Sequence, residues 1–133
     1  MAAEINIPVA TDTDVVAARQ QGRVLAAALN FSGSDLTVIA TAISEIARNI
    51  VTYAGRGQIL ARLVERNGRR GIEIVARDHG PGIPDIQLAL QDGYSTSGSL
   101  GLGLPGAQRL MDELEIQSDN GRGTVVTMRK WAR

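Results

Sequence analysis

Residues 78–103 read DHGPGIPDIQLALQDGYSTSGSLGLG, a stretch broken repeatedly by glycine, with two prolines and a Ser95-Thr96-Ser97 run. Neither a helix nor a strand tolerates that density of glycine and proline in its interior. The chain has 133 residues, the size of one ordinary domain with a real core. In a compact domain, loops longer than about 12–15 residues are usually functional. A loop of this length, held between regular elements, is expected to be functional.

The regular elements are legible on both sides. Residues 4–10 alternate apolar and polar and predict a strand. Thr11 and Asp14 have capping-box spacing, which predicts a helix over 15–30 with Val16, Val24, Ala27 and Ala28 among its apolar positions. Ser32-Gly33-Ser34 breaks the chain. A second helix is predicted over 35–54, where Ile39, Ile43, Ile46 and Ile50 recur at steps of four, three and four and mark one buried stripe. Gly55 and Gly57 end it. Residues 58–65 and 71–77 predict strands joined through Asn67-Gly68, a hairpin signal. Beyond the loop, a helix is predicted over 104–114 with Pro105 in its first turn. Strands over 115–118 and 124–131 flank Asp119-Asn120-Gly121. No repeat, linker or low-complexity tract interrupts this, so a single domain over 1–133 is expected.

Composition removes several function classes. Formal net charge is zero, so the basic footprint of a nucleic-acid binder is missing. There is no cysteine, which excludes disulfides and thiolate metal sites. No window approaches the ~18 apolar residues of a spanning helix, and the first residues lack a signal-peptide layout. A cytoplasmic protein with neither membrane nor nucleic-acid partner is expected. Lys130 is the only lysine, and it lies in neither a Walker loop nor a kinase strand context. A nucleotide site here has to work without either lysine.

Three motifs carry chemistry. Glu45 and Asn49, in Glu45-Ile46-Ala47-Arg48-Asn49, share a face of the second helix, roughly opposite the isoleucine stripe. Alone, that pattern reads as a polar face looking at water. Asp78-His79-Gly80-Pro81-Gly82 follows a strand. Its carboxylate can accept a hydrogen bond from an amino group such as that of adenine, and its glycines allow a planar ring to approach; a simple turn fits equally well. Gly101-Leu102-Gly103-Leu104-Pro105-Gly106 opens the third helix, where backbone N–H groups and the helix dipole favour an anion. A flexible loop leading into a helix is the plain alternative.

In this order, and with Gly123-Thr124 following, the motifs resemble the ATP site of the gyrase, heat-shock chaperone, histidine kinase and mismatch-repair superfamily. Residues 41–49, Pro84-Asp85-Ile86, residues 92–98, 16–20 and 109–113 look like the bacterial switch-protein and anti-sigma-factor serine kinases of the stress-signalling module. The resemblance implies a two-layer α/β sandwich with a mixed, largely antiparallel sheet and helices on one face. It implies ATP and Mg²⁺ as cofactors. Asp78, with Thr124 beside it, would bind the adenine amino group, and Gly80 and Gly82 would form the turn under the base. Asn49 would hold Mg²⁺ through its amide oxygen. Ser95, Thr96 and Ser97 fall where the family's lid meets the triphosphate, and Gly101, Leu102 and Gly103 would cradle the phosphates. Glu45 would accept or orient the proton of an attacking serine. Arg48 is either a phosphate or neighbour support, or an ordinary surface arginine.

By the same resemblance, the chain is a protein-serine/threonine kinase acting on a STAS-domain antagonist and then activating a PPM-type phosphatase in a sigma-factor stress cascade. An ATP-gated binding module with little transfer is the alternative. A histidine-kinase catalytic fragment fits less well, because strand-like sequence begins near residue 4 with no dimerisation hairpin expected before it; His79, the only histidine, reads as a structural or spacer residue rather than a phosphoacceptor.

Overall fold

The computed structural model describes residues 4–80, 103–119 and 123–132. Strand β1 (Glu4–Val9) leads into helix α1 (Asp12–Ala26) and helix α2 (Gly33–Tyr53). The hairpin β2 (Gly57–Arg66) and β3 (Arg69–Asp78) follows, then α3 (Gly103–Leu110), β4 (Glu113–Asp119) and β5 (Gly123–Trp131). The sheet order is β1-β2-β3-β5-β4. The sequence points to a mixed, largely antiparallel sheet; every pairing among the described residues is antiparallel.

Local chemistry sets the boundaries. The capping box at α1 is complete: Asp14 N–H donates to Thr11 Oγ1 at 3.3 Å, and Thr11 N–H donates to Asp14 Oδ2 at 3.1 Å. Those bonds satisfy N–H groups that the first helical turn leaves without partners. Ser32 caps α2, accepting from Asp35 N–H at 3.0 Å. Gly55 ends α2 by closing its N–H onto the Ile50 carbonyl at 2.9 Å. Asn67 (φ 53°) and Gly68 (φ 79°) both take left-handed backbone, as the tight turn of a two-residue hairpin demands.

Two expectations about the helices are corrected. Helix α1 stops at Ala26 rather than at residue 30, and the chain turns so that Leu29 and Phe31 enter the core. Its buried face is Val15, Ala18, Gly22 and Ala26, while Val16 and Val24 are exposed. At Gly22 a Cβ would collide with Ile43 Cδ1, so α1 and α2 approach too closely for a larger residue without Ile43 shifting. Helix α3 ends at Leu110, not 114. Asp112 is drawn to the sheet, where its N–H donates to Arg129 O at 3.0 Å and its carboxylate accepts from Trp131 N–H at 2.8 Å.

The core lies between the helices and one face of the sheet. Ile39, Ile43, Ile46 and Ile50 of α2 are all essentially unexposed, together with Ile59, Ile72, Ile74 and Met128 of the sheet. Strand alternation sends the other residues to the opposite face. There the register aligns Glu4, Arg62, Glu73, Arg129 and Glu113, one from each strand, with alternating charge. Trp131 lies across Gly71, whose missing side chain makes the room, and its Nε1–H donates to Glu113 at 2.8 Å. The Arg66 guanidinium sits 4.8 Å from the ring centroid, within cation–π range. Among the described residues, no helix is long and apolar enough to cross a membrane.

Candidate functional site

Helix α2 is held on three sides, by the sheet, by α1 and by α3. That explains the most informative burial in the molecule. Glu45 faces away from the isoleucine stripe yet is only 4% exposed, so the polar-face reading fails at this residue. Its Oε1 accepts from Arg48 Nη1 at 3.2 Å. A buried carboxylate without a cation or donors costs heavily, and here the partner sits one turn along the same helix. Asn49, four residues on, is half-buried.

The end of β3 forms the second part of the site. Asp78 stands between Gly57 of β2 and Thr124 of β5 in register. Its Oδ1 accepts from Gly80 N–H at 2.9 Å, which folds the chain into a tight turn and fixes the carboxylate. Small residues bring α2 against this turn. A Cβ at Gly80 would lie 2.7 Å from Ala54 Cβ, and one at Gly57 would lie 3.0 Å from Ile50 Cγ2. Gly123 has φ 104°, and a Cβ there would run into the Asp78 carbonyl and come within 2.8 Å of His79 Cα. The Asp78 turn is thus hemmed in by glycine on two neighbouring segments.

Thr124 is 5% exposed, and its hydroxyl lies 3.3 Å from Ser118 Oγ. Ser118 also donates to Gly123 O at 3.4 Å. Ser118 is not among the residues the sequence singles out; the β4–β5 register sets it opposite Thr124. The third part is α3, opened by Gly103 and packed against α2. Lys130 anchors its far end, with Nζ 3.1 Å from Leu110 O and 3.7 Å from Asp112 Oδ1. The only lysine of the chain therefore serves the helix C-terminus, where a cation suits the dipole.

The structure thus gathers Asp78, Gly80 and Thr124 at one end of the sheet beside the end of α2, and sets Glu45 and Asn49 along that helix. Gly103 lies at the start of α3. Gly82, Ser95, Thr96, Ser97, Gly101 and Leu102 lie outside the described residues. Among the described residues, no cluster of three or more His, Cys, Asp or Glu side chains could hold a metal ion. A cation at Asn49 would rest on one amide oxygen, water and phosphate oxygens, which is a donor set that suits Mg²⁺.

Residues 9–130 match the family model of the histidine kinase-like ATPase domain. The chain is 52% identical over 127 residues to the serine/threonine-protein kinase RsbT of Bacillus subtilis (strain 168), covering 96% of each. It is 33% identical over 120 residues to the anti-sigma F factor of Caldanaerobacter subterraneus subsp. tengcongensis, covering 86% of this chain and 82% of that protein. In fold it is similar to the RsbU and RsbW domains of Rv1364c from Mycobacterium tuberculosis, with TM-score 0.62 and 24% identity. That match covers 98% of this chain and 32% of the other. The mycobacterial sensor histidine kinase MprB gives TM-score 0.58 at 18% identity, covering 100% of this chain and 99% of that one.

Proposed function

The chain belongs to the histidine kinase-like ATPase domain family, and on that premise we propose that it is an ATP-dependent protein-serine/threonine kinase whose substrate is a STAS-domain antagonist protein. The observation that carries this reading is the 52% identity, over 96% of both chains, to a serine/threonine-protein kinase. Glu45 lies on α2 four residues before Asn49, the spacing that the resemblance assigns to the proton acceptor and the Mg²⁺ ligand.

In this reading the Asp78 carboxylate accepts the adenine amino group, held in place by the Gly80 N–H. Thr124 stands beside it, and Gly80 and, by the resemblance, Gly82 would lie close to the base. By the resemblance, Gly101, Leu102 and Gly103 would offer backbone N–H groups to the phosphates, and Ser95, Thr96 and Ser97 would meet the triphosphate. Asn49 supplies the amide oxygen for Mg²⁺, which when bound neutralises phosphate charge. The partner's serine hydroxyl attacks the γ-phosphorus. The new O–P bond forms as the bond to the β-phosphate oxygen breaks, ADP leaves, and Glu45 takes the hydroxyl proton. Most of the acceleration in such a transfer comes from positioning and charge stabilisation.

The same reading places the protein in a sigma-factor stress cascade, where release from the phosphorylated antagonist frees it to activate a PPM-type phosphatase. The resemblance to an anti-sigma factor favours a second reading, an ATP-gated binding module with little transfer. Intact-mass analysis separates the two. A purified STAS-domain partner is incubated with the protein and Mg-ATP, with Glu45→Gln as control. One added phosphate with wild type and little with the variant is expected. No added mass, despite ATP binding and complex formation, selects the binding module.

A further inference from the structure

Glu45 and Arg48 form a pair whose two ends live in different surroundings. The carboxylate is 4% exposed, while the Arg48 side chain is 41% exposed and reaches Glu45 Oε1 with Nη1 at 3.2 Å. Both residues lie inside α2, so their backbone spacing is fixed by helix geometry. The pairing is directional. A guanidinium is planar, always charged, and holds a carboxylate oxygen in a defined place, whereas an ammonium acts as a compact point charge. Ser44, beside Glu45, turns its hydroxyl back to Ala40 O at 3.0 Å and makes that backbone bond instead.

We propose that Arg48 is a positioning residue for phosphoryl transfer, aiming the Glu45 carboxylate at the incoming hydroxyl. This rests on the reading of Glu45 as the proton acceptor. An ordinary surface arginine would tolerate replacement; an arginine that fixes a buried carboxylate does not. Proton transfer demands hydrogen-bond reach at the moment of attack, and a displacement of about 1 Å in a reacting group costs on the order of 100-fold.

The test compares wild type with Arg48→Ala, Arg48→Lys, Glu45→Gln and the Arg48→Ala/Glu45→Gln double variant. Phosphorylation of the STAS-domain partner gives kcat and KM, and titration with a fluorescent ATP analogue gives nucleotide affinity. Arg48→Ala is expected to lower kcat roughly 10- to 100-fold while nucleotide affinity changes by less than about 3-fold. Arg48→Lys restores part of the rate, since charge returns without the planar fork. Because Arg48 acts through Glu45, the double variant is no more than about 2-fold slower than Glu45→Gln alone. A wild-type kcat in Arg48→Ala, or losses that multiply in the double variant, overturns the proposal and leaves the Glu45 assignment standing. Wild-type transfer by Glu45→Gln removes the underlying reading instead.

Discussion

Glu73→Gln probes the charge ladder on the open face of the sheet. Glu73 is 8% exposed and uses both carboxylate oxygens: Arg62 Nε donates to Oε1 and Arg129 Nε to Oε2, each at 2.8 Å. Glutamine keeps one acceptor and turns an NH₂ group toward the other arginine. Hydrogen bonds to charged groups contribute about 1.5–3 kcal/mol net. The Arg62 side chain is 54% exposed, so its share falls to the surface range of at most ~1 kcal/mol. Arg129, 18% exposed, keeps the larger share. The expected loss is about 2–3 kcal/mol, or roughly 10 °C in Tm for a domain of this size.

The pH dependence gives an independent check. Burial pushes the Glu73 carboxyl up, but the hydrogen bonds and charges of Arg129 and Arg62 outweigh it, and its pKa is lowered from 4.5. A lowered folded-state pKa means stability present above the unfolded value and lost as pH falls through the folded one. Wild type should therefore lose this contribution below about pH 4.5, and Glu73→Gln should show a shallower loss there. Urea denaturation at pH 7 and along an acid series measures both. A change under about 0.5 kcal/mol, the ordinary scale of surface substitutions, with acid slopes that coincide, would refute the reasoning.

Two further outcomes follow from the site. Gly123→Ala should lower both Tm and ATP affinity, because its Cβ meets the Asp78 backbone at a positive φ; Gly33→Ala, with open space around it, is the matched control and should change neither. Asp78→Asn should weaken nucleotide binding at least about 10-fold, a loss in the range of charged hydrogen bonds, with Tm nearly unchanged; unaltered affinity by titration removes the adenine assignment.

Much of the fold was readable one residue at a time. Thr11 and Asp14 announced a capping box, Asn67-Gly68 a hairpin turn, and the four isoleucines the inward stripe of α2, and each stands in the structure. These signals act over a few neighbours, so spacing and residue type suffice. The end of α3 was misplaced because Asp112 and Glu113 bond to Trp131 and Arg129, partners that lie far along the chain. Hydropathy alone does not say which side of α1 meets a neighbour: Val16 and Val24 are apolar yet exposed.

The sequence by itself determined the order of elements, the absence of a lysine-based nucleotide loop and the candidate residues Glu45, Asn49, Asp78, Gly80 and Thr124. Only the tertiary structure decided which of these meet. Sheet register set Thr124 beside Asp78, and small residues at Gly57 and Gly80 let α2 close on that turn. Packing against the neighbouring layers took Glu45 out of water and left Arg48 at its side. Burial is a property of everything that surrounds a side chain, and no window of sequence contains those surroundings.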